Sequence, residues 1–179
     1  MHADLSFSLF ETPVAACAIV WSARGIAGLQ LPEVDDAATR RRVALRHHAR
    51  EALPTPSAQV AIDAIQALLN GAPNALLDIE LDFAAVSAFN RRVYDLARSI
   101  APGQTRSYGD VAQAIGEPGA ARAVGKALGE NPFAIIVPCH RVLAAGGRSG
   151  GFSAHGGAAT KLKLLEIEAR IAPREGALF

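Results

Sequence analysis

Two apolar runs, Val14 to Trp21 and Gly25 to Leu31, flank the polar turn Ser22-Ala23-Arg24-Gly25, a pattern that predicts a β-hairpin. A helix with an arginine-rich polar face is expected over Asp35 to Glu51. A second is expected over Ser57 to Leu69, stopped by Asn70-Gly71. Ile79 to Phe83 alternates apolar and polar residues like a short, half-buried strand. Beyond Ala84 the period changes. Val86, Phe89, Val93, Leu96 and Ile100 are spaced 3, 4, 3 and 4 apart, one face of a helix that Ala101-Pro102-Gly103 ends. Ser107-Tyr108-Gly109-Asp110 has the form of a capping box and opens a short helix with Val111, Ala112 and Ile115 inward. After the turn Gly116-Glu117-Pro118-Gly119, Ala120 to Leu128 forms another, and the two read as a helix-turn-helix. Asn131-Pro132 then leads into an apolar strand, Ile135-Ile136-Val137, that ends at Pro138. A glycine-rich loop follows from Gly146 to Gly157, and Thr160 to Ala169 is the last helix. The expected organisation is an α/β N-terminal domain over residues 1–82 and a mainly α C-terminal domain over residues 83–179.

Half of the 179 residues are apolar and a fifth are charged, the composition of an ordinary globular protein. The apolar run at Val14 is too short for a bilayer, and residues 1–10 lack a basic leader region. Two cysteines make no disulfide framework, so a cytoplasmic location is expected, with no membrane association. Charge is uneven along the chain. Residues 1–83 carry six basic groups against ten acidic, while residues 84–149 carry eight against four. The positive segment suits a polyanionic partner. Arg40-Arg41-Arg42 is flanked by acids and reads as a solvated helix face. His47 and His48 read as surface residues without metal-ligand spacing.

Pro138 is followed by a thiol and an imidazole, Cys139 and His140. Only the thiolate is a strong sulfur nucleophile, and a free cysteine with a pKa of about 8.5 needs a nearby base or cation to form it at neutral pH. A histidine that takes the proton, directly or through one water, supplies this. Successive side chains on a strand point apart, so the pair is expected in a turn just past the strand, facing one pocket. The helix over Ala120 to Leu128 is nearly free of bulk, with Arg122 and Lys126 at i and i+4 as its long polar side chains. Such a helix can lie in a DNA groove, or its small residues can serve tight internal packing.

In their order and spacing, Ser107-Tyr108-Gly109, Ala121-Arg122-Ala123-Val124-Gly125, Glu130-Asn131-Pro132 and Pro138-Cys139-His140-Arg141-Val142 resemble the O6-alkylguanine-DNA alkyltransferases. The likeness covers roughly residues 80–170. The N-terminal region resembles that family's ribonuclease-H-like domain only in pattern, and the C-terminal part would be winged-helix-like. The resemblance implies double-stranded DNA carrying O6-alkylguanine as partner, with O4-alkylthymine a further candidate. It also implies a monomer, no cofactor, and irreversible transfer of the alkyl group from a base rotated out of the duplex. Cys139 would be the acceptor and His140 its base. Glu168, rather than Glu166, would orient the histidine. Tyr108 would donate to the departing guanine, and Asn131 would hold the active-site turn. Arg122 would fill the gap in the base stack, with Lys126, Ala121, Ala123, Gly125 and Ser107 at the DNA. Val142, Phe152, Ser153 and Tyr108 would line the base pocket. The loop departs from the family's pattern because Ala154-His155 stand between Phe152-Ser153 and Gly156-Gly157. With one cysteine in its N-terminal part, no structural zinc is expected. A non-catalytic binder of alkylated DNA and a cysteine hydrolase are the competing readings. The first has no need of Cys139, and the second has no use for the small-residue basic helix.

Overall fold

The predicted hairpin forms as β2 (Cys17–Ser22) and β3 (Gly25–Gln30), antiparallel partners. The structure, a computed structural model, describes residues 4–148 and 157–171. Two strands that the pattern did not predict complete the sheet. β1 (Ser6–Phe10) runs antiparallel to β2 and parallel to β4 (Arg50–Glu51), giving the order β3-β2-β1-β4. The expected helix over Asp35 to Glu51 is therefore shorter. α1 (Asp36–His47) starts at Asp35, whose carboxylate accepts from Ala38 N at 2.7 Å, and ends where His48 turns left-handed at φ 52°. That turn releases Arg50 and Glu51 to pair with β1.

Alternation along β2 divides the core. Ala18 and Val20 meet Phe7, Val43 and Ala49 beneath α1, while Cys17, Ile19 and Trp21 belong to the larger cluster on the opposite face. There α2 (Pro56–Leu69) contributes Ala58, Ala61, Ile62, Ile65, Leu68 and Leu69. Burial on both faces explains why β2 reads as an unbroken apolar run. The same cluster continues through Val93, Tyr94, Val111, Val124, Phe133 and Val142 to Leu164, so the two predicted domains share one core.

The C-terminal half is built from α3 (Ala88–Arg98), α4 (Tyr108–Ala114), α5 (Ala121–Gly129) and α6 (Ala158–Ala169). In the α3 region, Val93, Tyr94, Ala97 and Ile100 are fully buried, whereas Val86, Phe89 and Leu96 only border the core. Tyr94 Oη donates to Ala127 O at 2.8 Å and fixes α5 against α3. Arg92 holds the turn between α4 and α5 through Ile115 O at 2.7 Å and Glu117 Oε1 at 2.8 Å.

Two predicted strands are not formed. Ile79 to Phe83 touches the sheet at a single bridge, Ile26 to Leu81, and Asp82 then turns to accept from Ala84 N at 3.0 Å. Ile135-Ile136-Val137 is a series of turns, with Ile135 left-handed at φ 69° and Val137 N donating back to Phe133 O at 2.8 Å. These residues are apolar because they are buried, and a run of three has no readable period. The first segment and Pro132-Phe133 cover the free edge of β3, where Ile26 N donates to Glu80 O at 2.9 Å and Leu29 N to Pro132 O at 2.7 Å. No helix among the described residues is long and apolar enough to cross a membrane.

Tyr94→Phe is expected to lower stability by about 1 kcal/mol, because it removes one buried hydrogen bond while keeping the ring. Urea unfolding should show a reduced midpoint with an unchanged slope.

Candidate active site

Cys139, His140 and Arg141 form one 3₁₀ turn, closed by Arg141 N donating to Pro138 O at 2.9 Å. Asn131 positions the chain before it. Its Nδ2 donates to Val137 O at 2.9 Å and its Oδ1 accepts from Phe133 N at 2.8 Å, so one amide spans the loop that ends at the thiol. Beyond the turn, β6 (Val142–Leu143) pairs in parallel with β5 (Arg106–Ser107). That pairing brings the start of α4 to the thiol. The capping box forms as predicted, with Asp110 N to Ser107 Oγ at 3.0 Å and Ser107 N to Asp110 Oδ2 at 2.9 Å. It fixes Tyr108 as the first helical residue, beside α5, where a Cβ on Gly125 would stand 3.9 Å from Tyr108 Cε1.

α6 closes the site from the far side. His140 Nε2 lies 2.8 Å from Glu168 Oε1, and His140, Arg141, Lys161 and Glu168 are each only 1% exposed. Arg141 donates to both Glu168 oxygens, from Nε to Oε2 at 2.9 Å and from Nη2 to Oε1 at 2.7 Å. Its Nη1 donates to Ile100 O at 2.5 Å. Lys161 Nζ donates to Val142 O at 2.9 Å. His140 Nδ1 is buried and has no hydrogen-bond partner among the described residues.

The electrostatics follow from this packing. Burial opposes ionisation of Glu168, but hydrogen bonds and charge from His140 and Arg141 outweigh it and hold its pKa down to about 2. Burial lowers the His140 pKa more than Glu168 raises it, so the imidazole rests neutral. The Cys139 thiol is pushed up by burial, with Asn131 and Lys161 pulling the other way. This corrects the expectation of a sulfur ionised at rest: the resting pair is a thiol and a neutral imidazole. Burial, and then the nearby Cys139 sulfur, also raise the Tyr108 phenol, keeping it a hydrogen-bond donor.

The structure therefore brings Cys139, His140, Glu168, Tyr108, Asn131 and Val142 to one place. Glu166 is exposed on the opposite side of α6. On α5, Arg122, Ala123 and Lys126 are exposed, Ala121 and Gly125 are half-buried, and Val124, Ala127 and Leu128 point inward. The small residues thus serve both close internal packing and a smooth outer face. Lys126 lies 3.8 Å from Glu130. Phe152 and Ser153, together with Ala154 and His155, lie outside the described residues. His47, expected at the surface, is half-buried, and burial followed by the Arg46 charge pushes its pKa to about 4. Sequence reasoning assigned no role to Arg141 or Lys161. The residue pattern carried no signal for either, since periodicity reads a charged position as exposed.

The family model described as the DNA-binding domain of 6-O-methylguanine DNA methyltransferase matches residues 88–170. A methylated-DNA–protein-cysteine methyltransferase of Mycobacterium tuberculosis is 46% identical over 127 residues, covering 70% of this chain and 74% of the relative. That of Mycolicibacterium paratuberculosis is 52% identical over 102 residues, covering 57% of this chain and 60% of the relative. Among solved structures, the M. tuberculosis OGT in complex with DNA is similar at a TM-score of 0.75 and 35% identity, over 94% of this chain and 96% of that one. The O6-methylguanine-DNA methyltransferase of Pyrococcus kodakaraensis is similar at a TM-score of 0.68 and 28% identity, over 92% of this chain and 98% of that one.

Glu168 is held far below the usual glutamate pKa, so its contribution to stability is complete above about pH 4.5 and is lost as pH falls towards about 2. Glu168→Gln lacks that contribution. The gap in Tm between wild type and variant is expected to be widest near neutrality and to close between pH 4.5 and 2, as followed by thermal unfolding across pH.

Proposed function

The chain belongs to the methylated-DNA–protein-cysteine methyltransferase family, and on that premise we propose that it repairs duplex DNA by one irreversible transfer of an alkyl group from guanine O6 to Cys139 Sγ. The observation that carries the reading is the thiol turn itself. It stands between a neutral, Glu168-oriented imidazole and a phenol held protonated at the start of α4. The sulfur–carbon bond forms as the carbon–O6 bond breaks. The thiol proton passes to His140 Nδ1, through one water, and the electron pair leaves on guanine. Tyr108 donates a hydrogen bond where that charge grows, which lowers the barrier. No step regenerates the thiol, so each molecule acts once.

Delivery of the base follows from the exposed face of α5. Rotating a nucleotide out of the stack costs a few kcal/mol, which an inserted side chain partly offsets. Arg122 fills that gap, since a guanidinium both stacks and donates hydrogen bonds. Lys126 and Ser107 meet phosphate oxygens, and the absence of bulk at Ala121, Ala123 and Gly125 lets the backbone of α5 approach the groove. Val142 lines the base pocket with Tyr108, and Asn131 keeps the active-site turn in register. The domain boundary falls at residues 82–83. The mixed sheet belongs to the ribonuclease-H-like class, and the α4–α5 pair with its small strands to the winged-helix class. The protein acts as a monomer in the cytoplasm.

Mixing with an oligonucleotide containing O6-methylguanine should add the mass of one methyl group per chain, and none to Cys139→Ala. Turnover beyond one equivalent would overturn the mechanism. Arg122→Ala should slow repair in duplex DNA by on the order of 10-fold or more while sparing reaction with the free modified base, since only the duplex requires the stack to be filled. Equal losses on both substrates would remove that role.

A further inference from the structure

Arg141 lies beside the reacting pair, yet neither nucleophilic displacement nor base rotation gives it a task. We propose that Arg141 is a positioning residue that fixes the tautomer of His140, keeping Nδ1 free to accept the thiol proton. The inference rests on the alkyl-transfer reading of the site and deepens it.

The argument begins with hydrogen-bond capacity. A neutral imidazole carries one N–H, on either Nδ1 or Nε2. Which nitrogen holds it is set by the partner of the other. His140 Nε2 faces Glu168 Oε1 at 2.8 Å. If the carboxyl is ionised it can only accept, so the proton sits on Nε2 and Nδ1 presents a lone pair. If the carboxyl is protonated it can donate to Nε2. The imidazole proton then moves to Nδ1, and the base is blocked at the nitrogen that should face the sulfur.

Burial alone favours the protonated carboxyl. Glu168 is 1% exposed, and its partners decide the matter. Arg141 occupies both oxygens with a fork of two N–H donors, at 2.9 and 2.7 Å, leaving His140 as the acceptor's third donor. The guanidinium is itself anchored outside the site, by Nη1 donating to Ile100 O just beyond α3. Lys161, also buried, is committed to Val142 O and does not reach the carboxylate in this way. Nδ1, without a partner among the described residues, is the complement of this arrangement.

Arg141 also carries a cost. Its charge disfavours the imidazolium that forms when the thiol proton arrives, so its contribution lies in the tautomer and not in basicity. The groups facing His140 are Cys139 and Arg141 from its own turn and Glu168 and Lys161 from α6; Tyr108 of α4 faces the sulfur. Among them, Glu168 is the group that loses two of its three hydrogen-bond donors when Arg141 is removed.

Long-range ¹⁵N–¹H correlation spectra of the full-length protein, labelled at histidine, read the tautomer directly. Wild type should show His140 protonated at Nε2, and a resting Nδ1–H form would overturn the proposal without any variant. Arg141→Met should populate the Nδ1–H form. It should also slow single-turnover methyl transfer by on the order of 100-fold at neutral pH, the scale of a lost general base. That rate should recover as pH rises and Glu168 ionises, a limb that wild type lacks. Arg141→Lys, which keeps the charge, should retain the Nε2–H form and most of the rate, and it serves as the test where the methionine variant does not fold. A folded Arg141→Met with the wild-type tautomer and pH profile would refute the role. Failure of wild type to gain a methyl group would instead refute the alkyl-transfer reading, because the tautomer measurement is independent of it.

Discussion

One carboxylate organises this molecule's reactive end. Glu168 is buried, where an isolated charge would be prohibitive, and it persists as an anion because three hydrogen bonds converge on its two oxygens. Those bonds come from the turn that carries the thiol, and Arg141 continues the chain of contacts to Ile100 at the end of the α3 region. Three segments far apart in sequence are thereby held in one geometry. A buried ion pair of this kind is weak evidence for extra stability. Its value lies in specificity, since removing any one member leaves another charge or lone pair stranded.

A second constraint acts from the opposite side. The thiol turn is suspended between Asn131, which spans the preceding loop, and the short β5–β6 pairing, which ties the following residues to the start of α4. The same capping box that starts α4 therefore determines where the Tyr108 hydroxyl lies relative to the sulfur. The small residues of α5 serve both directions. Gly125 borders the Tyr108 ring, where an added Cβ would make ordinary contact, while Ala123 leaves the outer face smooth between Arg122 and Lys126. One nine-residue helix thus carries both the smooth outward face and the glycine that borders the Tyr108 ring.

Much of this was legible from residue pattern. The Val93–Ile100 stripe, the Ser107–Asp110 box and the β2–β3 hairpin each carry a local signal that tertiary contacts reinforce. The failures have physical causes. Ile135 to Val137 is apolar through burial, and three residues cannot distinguish a strand from buried turns. β4 is two residues long and follows a helix whose end depends on the left-handed turn at His48. On α6 the buried stripe is Lys161, Leu164 and Glu168, and two of its three members are charged. Hydrophobic periodicity treats charge as exposure, so it hid the inward face, and the choice of Glu168 over Glu166 came from family register. Arg141 was hidden in the same way. A guanidinium buried behind the thiol resembles a surface arginine until its partners are known.

The covered edge of β3 has a consequence for how this chain can be divided. Leu29 N is satisfied by Pro132 O, immediately beyond the asparagine that shapes the thiol loop, and Phe133 bridges to the same strand. The sheet therefore works as a template on which the reactive loop is moulded, across a separation of about a hundred positions. A fragment beginning at α3 would lose that mould, exposing Phe133 and leaving the Pro132 carbonyl without its donor. The N-terminal region is in this sense part of the thiol turn's architecture, and the helical half is not a self-sufficient module that could be transplanted alone.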